Sequence, residues 1–163
     1  MRALLFASVA MLAASAPAEA ELRFGLPIAC TPGRDCWVQN YADHDAGPGV
    51  SDFACGAQSY DGHDGTDFRL RDTSAAADVL AAAPGVVKAI RDGEADHLVK
   101  TDADRSAVGD RECGNGVLLV HEDGWQTQYC HLKQGSVAVR AGQAVAAGER
   151  LGSVGYSGMA AFP

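Results

Sequence analysis

The stretch of this sequence that most constrains its fold is GNGVLLVHEDGWQTQYCHL, which runs from Gly114 to Leu132. An apolar run, Val117 to Val120, is followed by an Asp-Gly pair and then by alternating polar and apolar residues. Alternation with a period of two is typical of a strand with one buried face, and Asp-Gly is a frequent hairpin turn. The pattern therefore predicts an antiparallel β-hairpin that turns at Asp123-Gly124.

The register of this hairpin decides which side chains share a face. A two-residue turn would place one set on a common face: Leu118, Val120, Thr127, Tyr129 and His131. His121 would point to the other face with Val117 and Leu119, and its position before the turn predicts an exposed side chain. A slip of one residue would regroup the side chains of the two strands.

The rest of the chain also favours short strands. Residues 67–71 (DFRLR) alternate polar and apolar side chains, and residues 85–90 (GVVKAI) are rich in Val and Ile. After the hairpin, short Val- and Ala-rich pieces are separated by glycines as far as Gly158. No amphipathic helix is predicted. The predicted fold class is mainly β, an antiparallel core of barrel or sandwich type with long loops.

The 163 residues fit one main domain with two segments before it. Residues 1–20 have a basic start, an apolar run and a final Ala-Glu-Ala, which predicts a cleavable signal peptide rather than a membrane span. Residues 21–52 are interrupted by Pro, Gly and Asp, and we interpret them as an irregular arm held by cysteines. Residues 53–163 are the predicted main domain, with an acidic surface loop at 91–112.

Composition limits the partners and the compartment. With a net charge of −8 and no cluster of Lys or Arg, the chain has no surface suited to nucleic acid. Five cysteines in an exported chain predict disulfides. Cys30 and Cys36 are near enough in sequence to close a local loop. The pairing of Cys55, Cys113 and Cys130 stays open, with one thiol left unpaired or bonded outside this chain.

The segment YDGHDGTDFRLR, residues 60–71, contains the first candidate for chemistry. His63 and Asp67 are four positions apart, and Gly62 and Gly65 disfavour a helix there. In an extended stretch the two side chains would project to the same side. Imidazole nitrogen and carboxylate oxygen both bind zinc, so the alternatives are half of a metal site or a polar turn that leads into a strand.

The other titratable residues carry weaker signals. His131, in QYCHL, is either a general base or transition-state stabiliser or a core histidine with a satisfied hydrogen bond. His44 and His97 lie in acidic stretches and are predicted to be solvated. Asp102 and Asp104 resemble a fragment of a calcium loop but lack its glycine and final glutamate, so they are assigned no role. The sequence has no serine-hydrolase elbow, phosphate loop or dinucleotide motif.

Three motifs in one order resemble the lysostaphin-type zinc peptidases, which cut peptide stems or cross-links of bacterial peptidoglycan. They are GHDGTDF, the hairpin that ends in QYCHL, and the Gly-rich run VAVRAGQAVAAGERLGSVGYSG. The resemblance covers Gly62 to Gly158 and implies the antiparallel β core of that family. It also implies that His63 and Asp67 are two of three zinc ligands and that His131 stabilises charge on the scissile carbonyl.

One departure from the family bears on activity. The family places a His-x-His motif just after the Gly-rich turn, and the second histidine of that motif is the third zinc ligand. Here the sequence reaches Pro163 about where the residue before the motif would stand. We expect that the sequence is cut short and that a His-x-His follows within a few residues.

The resemblance, together with the predicted signal peptide, therefore implies a zinc metalloendopeptidase, periplasmic or secreted, that hydrolyses peptide bonds in peptidoglycan. The alternative is a non-catalytic module of the same fold that binds the cell wall or activates another hydrolase. The missing third ligand favours this alternative only if Pro163 is the true terminus. The presence of His63, Asp67 and His131 favours the enzyme. A third class, a biotinyl or lipoyl carrier, needs a modifiable lysine at a hairpin tip, and Lys133 lies in no such motif.

Overall fold

A computed structural model describes residues 21–162, apart from the side chain of Asp123. The predicted signal peptide at residues 1–20 lies outside the described residues, as does Pro163. The strands of the described part are β1 (Cys36–Asn40), β2 (Asp67–Leu70), β3 (Asp78–Leu80), β4 (Gly85–Arg91), β5 (Asn115–Val120), β6 (Gln126–Leu132), β7 (Ala144–Val145) and β8 (Arg150–Ser153). From residue 21 to residue 162, no helix has the length and apolar character needed to cross a membrane.

The strands pair antiparallel in three sheets within this part of the chain. One sheet has four strands in the order β6-β5-β4-β7, while β1 pairs with β2 and β3 pairs with β8. The main core packs around the four-stranded sheet, where Val87, Leu119, Leu132 and Leu151 are buried. The predicted mainly β fold with an antiparallel core is confirmed.

The hairpin of β5 and β6 forms, but the predicted register is wrong by one residue. A 3-10 turn at Glu122–Gly124 takes the place of the two-residue turn. Val117 consequently pairs with Tyr129, and Leu119 pairs with Thr127. Val117, Leu119 and Tyr129 are all buried, and a one-residue slip would turn Tyr129 away from the two aliphatic residues. Burial of Tyr129 in the core therefore selects this register.

The segment 21–52, expected to be irregular, contributes a strand to the fold. Cys36–Asn40 form β1, which lies antiparallel to β2, the strand that begins with Asp67. The expected local disulfide is present and joins Cys30 to Cys36, the first residue of this strand. Cys36 and Leu70 are buried together in a small second cluster. The arm therefore packs directly against the strand that carries a predicted site residue.

The acidic segment at 91–112 contains a short helix that the sequence analysis did not predict. Helix α1 (Asp102–Val108) begins at a capping box, in which Thr101 and Asp104 each accept a hydrogen bond from the backbone N–H of the other. The helix buries none of its residues and therefore needs no apolar face. Its sequence accordingly lacks the apolar periodicity by which a helix is predicted. Hydrogen bonds from the Lys100 N–H, the His97 ring and Thr101 hold the pKa of Asp104 well below its usual range. Asp104 thus has a structural role at the start of a helix.

Candidate metal centre

The structure places the side chains of His63 and Asp67 next to each other. His63 Nε2 lies 3.3 Å from Asp67 Oδ1. His63 lies in the loop before β2, and Asp67 is the first residue of that strand. Gly62 has φ +75°, a left-handed conformation that favours glycine and turns the chain just before the histidine. Local chain geometry therefore brings the imidazole and the carboxylate together.

The proton on His63 can be assigned from its hydrogen bonds. His63 Nδ1 lies 2.7 Å from the carbonyl oxygen of Tyr41, and a carbonyl only accepts, so Nδ1 is the donor. In the neutral ring, Nε2 then directs a lone pair at the carboxylate oxygen of Asp67. Two acceptors at this distance repel each other unless a proton or a cation lies between them. The donor set therefore fits a divalent metal ion such as zinc, with Tyr41 as the outer partner that orients the ligand.

The two side chains of this pair differ in burial, and the pair is open to solvent on the side of Asp67. The side chain of His63 is only 8% exposed, whereas that of Asp67 is 36% exposed. A metal held by both would have the imidazole in the protein wall and would face solvent on the side of the carboxylate. That arrangement leaves room for a water molecule or a substrate, as a catalytic zinc requires.

The arm contacts both members of the pair. Asn40 Nδ2 donates to Asp67 Oδ2 at 2.9 Å. The backbone N–H of Asp43 donates to the carbonyl oxygen of His63 at 2.6 Å. Sequence reasoning missed Asn40, Tyr41 and Asp43, because these contacts join residues twenty or more positions apart and leave no spacing signal.

Two aspartates of the arm organise the loop beside the pair. The Asp43 carboxylate accepts hydrogen bonds from the N–H groups of Ser51, Asp45 and Gly62, and these bonds hold its pKa below the usual value. The bond to Gly62 fastens the residue that precedes His63. The Asp52 carboxylate accepts from the N–H groups of Gly56, Gln58 and Ala54, with the same effect on its pKa.

An aromatic ring covers His63 on one face. The rings of Tyr60 and His63 stack with centroids 4.4 Å apart, although the tyrosine remains 53% exposed. Burial raises the pKa of Tyr60, and the carboxylates of Asp67, Asp64 and Glu112 raise it further. Glu112 lies three residues before Asn115, where β5 begins, so the segment that leads into β5 also acts on this tyrosine.

His131 is held in an unusual backbone conformation at the end of β6. Its φ is +58°, in the left-handed region that a residue with a side chain seldom adopts. His131 Nδ1 lies 2.7 Å from the carbonyl oxygen of Ser157, so Nδ1 is again the donor and Nε2 is left with a lone pair. Among the hydrogen bonds of residues 21–162, none joins His131 to His63 or Asp67. The ring is half-buried and its Nε2 can accept or return a proton.

A buried network fixes His131 in this conformation. Ser157 is fully buried, and its hydroxyl accepts from the Asn115 N–H at 2.9 Å and donates to the Leu132 carbonyl at 2.7 Å. A disulfide joins Cys113 to Cys130, the residue before the histidine. Sequence reasoning missed Asn115 and Ser157. The glycine-flanked motifs GNG and GYSG contain these two residues and were the available signal in the sequence. Only the folded chain brings the two motifs into contact.

The remaining histidines differ in burial. His121 is only 5% exposed, so the prediction of an exposed side chain is wrong. Its Nδ1 donates to the Pro84 carbonyl and its Nε2 accepts from the Thr127 hydroxyl, both at 2.7 Å, so the neutral ring is satisfied inside the fold. His44 is exposed, as expected. His97 is exposed too, with its ring 3.1 Å from Asp104.

Other groupings of metal-binding side chains are few in the described part of the chain. The only close group of three His, Cys, Asp or Glu residues between residues 21 and 162 is Cys30, Asp35 and Cys36. Its two cysteines are joined in a disulfide and cannot act as thiolate ligands. The His63–Asp67 pair therefore supplies two donors, and a third would come from elsewhere.

Comparison with known proteins shows to which family the chain belongs. The sequence model of peptidase family M23 matches residues 61–163. The cell division protein DipM of Caulobacter vibrioides (strain NA1000 / CB15N) is 51% identical over 45 residues, a match that spans 28% of this chain and 7% of DipM. No solved structure matches the chain. Because the family match covers most of the chain and contains both His63 and Asp67, the chain belongs to peptidase family M23.

Proposed function

We propose that this chain is an exported zinc metalloendopeptidase that hydrolyses peptide bonds in the stems or cross-links of bacterial peptidoglycan. The observation that carries the proposal is the approach of His63 Nε2 to Asp67 Oδ1 at 3.3 Å, with the outer atom of each side chain already hydrogen-bonded. Peptidases of family M23 are generally metallopeptidases and typically depend on zinc, which supports the same assignment.

Each residue has a separate task in this proposal. His63 and Asp67 would hold zinc, which when bound lowers the pKa of a coordinated water and polarises the scissile carbonyl. His131 would accept a proton at Nε2 or donate one to the developing oxyanion, because its Nδ1 proton is held by the Ser157 carbonyl. The segment 53–163 would be the catalytic domain.

The proposed location follows from the leader and from the substrate. Residues 1–20 would direct export and be removed, so that the mature chain acts in the periplasm or outside the cell. The similarity to a cell division protein supports a role at the cell wall, although the match spans only 7% of that relative.

A second candidate function is a non-catalytic module that binds the cell wall or activates another hydrolase. One observation favours it: within residues 21–162 the pair is joined by no third close His, Cys, Asp or Glu side chain. Two donors would hold zinc weakly compared with the three protein ligands of a catalytic site.

Zinc content and peptide release from purified peptidoglycan test the proposal on the full natural protein. His63→Ala and Asp67→Ala should each lose both zinc and activity, since each removes a ligand. His131→Ala should keep zinc and lose most of the activity. Asp64→Ala is the matched control, because Asp64 is exposed and lies between the two ligands in sequence. It should retain both properties.

The outcomes separate the two candidates. Unchanged peptide release in His63→Ala would refute the ligand assignment. A zinc-loaded wild-type protein that sediments with peptidoglycan but releases no peptide would favour the non-catalytic module.

A further inference from the structure

We propose that Asn40, in the arm before the family match, is a positioning residue for the metal ligand Asp67. The inference rests on the proposed function, in which His63 and Asp67 bind zinc. Peptidase family M23 matches residues 61–163, so Asn40 lies outside the matched region. Its side-chain amide donates to Asp67 Oδ2 at 2.9 Å, while the other carboxylate oxygen, Oδ1, faces His63 Nε2.

A β-bulge brings Asn40 to this position. Along β1 and β2, Val38 pairs with Phe68 and Asn40 pairs with Asp67, so Gln39 has no partner of its own on β2. In a regular pairing without the bulge, Gln39 would stand opposite Asp67. Asn40 would then lie beyond the end of the two paired strands. Bulges that redirect a side chain are frequent beside active sites.

The bulge is held from outside by Gln58. The side-chain amide of Gln58 donates to the carbonyls of Val38 and Gln39, at 2.9 and 3.2 Å. Its backbone carbonyl accepts from the Tyr41 N–H at 2.8 Å, and its N–H donates to Asp52 Oδ2 at 3.1 Å. The backbone carbonyls at the bulge are therefore hydrogen-bonded by Gln58. This contact holds the bulge in place and so fixes the direction of the Asn40 side chain.

This contact restricts the carboxylate of Asp67. Asp67 is the more exposed member of the pair, so without a partner its carboxylate could rotate toward solvent. With Oδ2 held by Asn40, Oδ1 stays directed at His63 before any metal arrives. Loss of such an outer partner typically weakens metal binding by about 10- to 100-fold.

A zinc competition titration against a chelating dye tests the inference on the full natural protein. Asn40→Leu, which keeps a similar volume but cannot donate, should bind Zn²⁺ about 10- to 100-fold more weakly than wild type. Gln39→Leu is the matched control, since among the hydrogen bonds of the described residues none uses its side chain, and it should bind like wild type. Metal-free Gln39→Leu should unfold at the wild-type temperature and metal-free Asn40→Leu at most a few degrees lower, so that weaker zinc binding by a folded Asn40→Leu protein reports positioning.

Two further variants sharpen the test. Asn40→Asp can ligate a metal but cannot donate while ionised, so weaker binding supports positioning, and equal or tighter binding would overturn it. Gln58→Leu should weaken zinc binding in the same direction as Asn40→Leu but less, because it frees the bulge without removing the donor.

The result is distinguishable from failure of the proposed function. Equal zinc affinities for wild type and Asn40→Leu would overturn the inference and leave the peptidase proposal intact. Suppose that Asn40→Leu binds zinc more weakly than wild type, and that the wild-type protein binds zinc but cleaves no peptide. That result would support the inference and overturn the proposal that the protein is a peptidase. A wild-type protein without zinc affinity would overturn both.

Discussion

His131 and the His63–Asp67 pair are held by different kinds of structure. Behind His131 lie two fully buried polar residues, Asn115 and Ser157, and a disulfide beside the main core. The pair instead depends on the arm, where exposed loops are organised by aspartate carboxylates and β1 and β2 bury only a small cluster. One half of the candidate site is fixed by burial, and the other by hydrogen bonds near solvent.

This difference shows where each half is vulnerable. Buried hydrogen bonds are costly to break, because the groups left behind are cut off from water. The hydrogen bonds to the Asp43 and Asp52 carboxylates lie in surface loops and depend on ionisation of the two side chains. Core substitutions should therefore disturb the His131 side, whereas acid should first disturb the arm that holds the pair.

The largest effect is expected from a comparison of two asparagines. Asn115→Ala should lower the free energy of unfolding by about 4 kcal/mol, because four side-chain hydrogen bonds are lost at about 1 kcal/mol each. Asn40→Ala, which loses one half-buried bond, should cost about 1 kcal/mol or less. Urea unfolding measures both. Equal losses would contradict the division of the site into a buried half and an exposed half.

Removal of the disulfides should give the next largest effects. Cys113 and Cys130 are 17 positions apart, and Cys30 and Cys36 are 6 apart. Loop-closure entropy then predicts losses of about 3 and about 2 kcal/mol for the two double Cys→Ser variants.

The exposed thiol of Cys55 offers a control for those variants. Cys55→Ser should change the unfolding free energy by less than about 0.5 kcal/mol, as is usual at exposed positions. If the Cys30–Cys36 variant lost more than the Cys113–Cys130 variant in urea unfolding, the arm would contribute more to stability than its small cluster suggests.

Acid should give the smallest effect on the whole fold, confined to the arm. The pKa values of Asp43 and Asp52 are lowered from 3.8 by backbone hydrogen bonds. Their contribution to stability is therefore present above pH 3.8 and is lost as the pH falls through the folded pKa values. Hydrogen-exchange protection of the Ser51 and Gly62 amides should therefore fall as the pH drops below 3.8. Amides of β5 should keep their protection, and a parallel loss there would contradict a local effect.

Short-range patterns in the sequence predicted several features correctly. Alternation and Gly-punctuated short segments indicated a mainly β fold, and Cys30 and Cys36 were near enough in sequence to pair. His63 and Asp67 were expected to project to the same side, and they do lie together. These features depend on residues a few positions apart, where chain geometry limits the choices.

Long-range packing decided the rest. The approach of Asn40 to Asp67, the burial of His121 and the pairing of Cys113 with Cys130 each join segments that only the folded chain brings together. The hairpin register likewise followed from burial of Tyr129 rather than from the Asp-Gly turn. The sequence by itself determined which residues could hold a metal, because ligand chemistry and short spacing are local properties. Only the tertiary structure decided what orients them, because outer hydrogen-bond partners come from distant strands whose pairing no local pattern encodes.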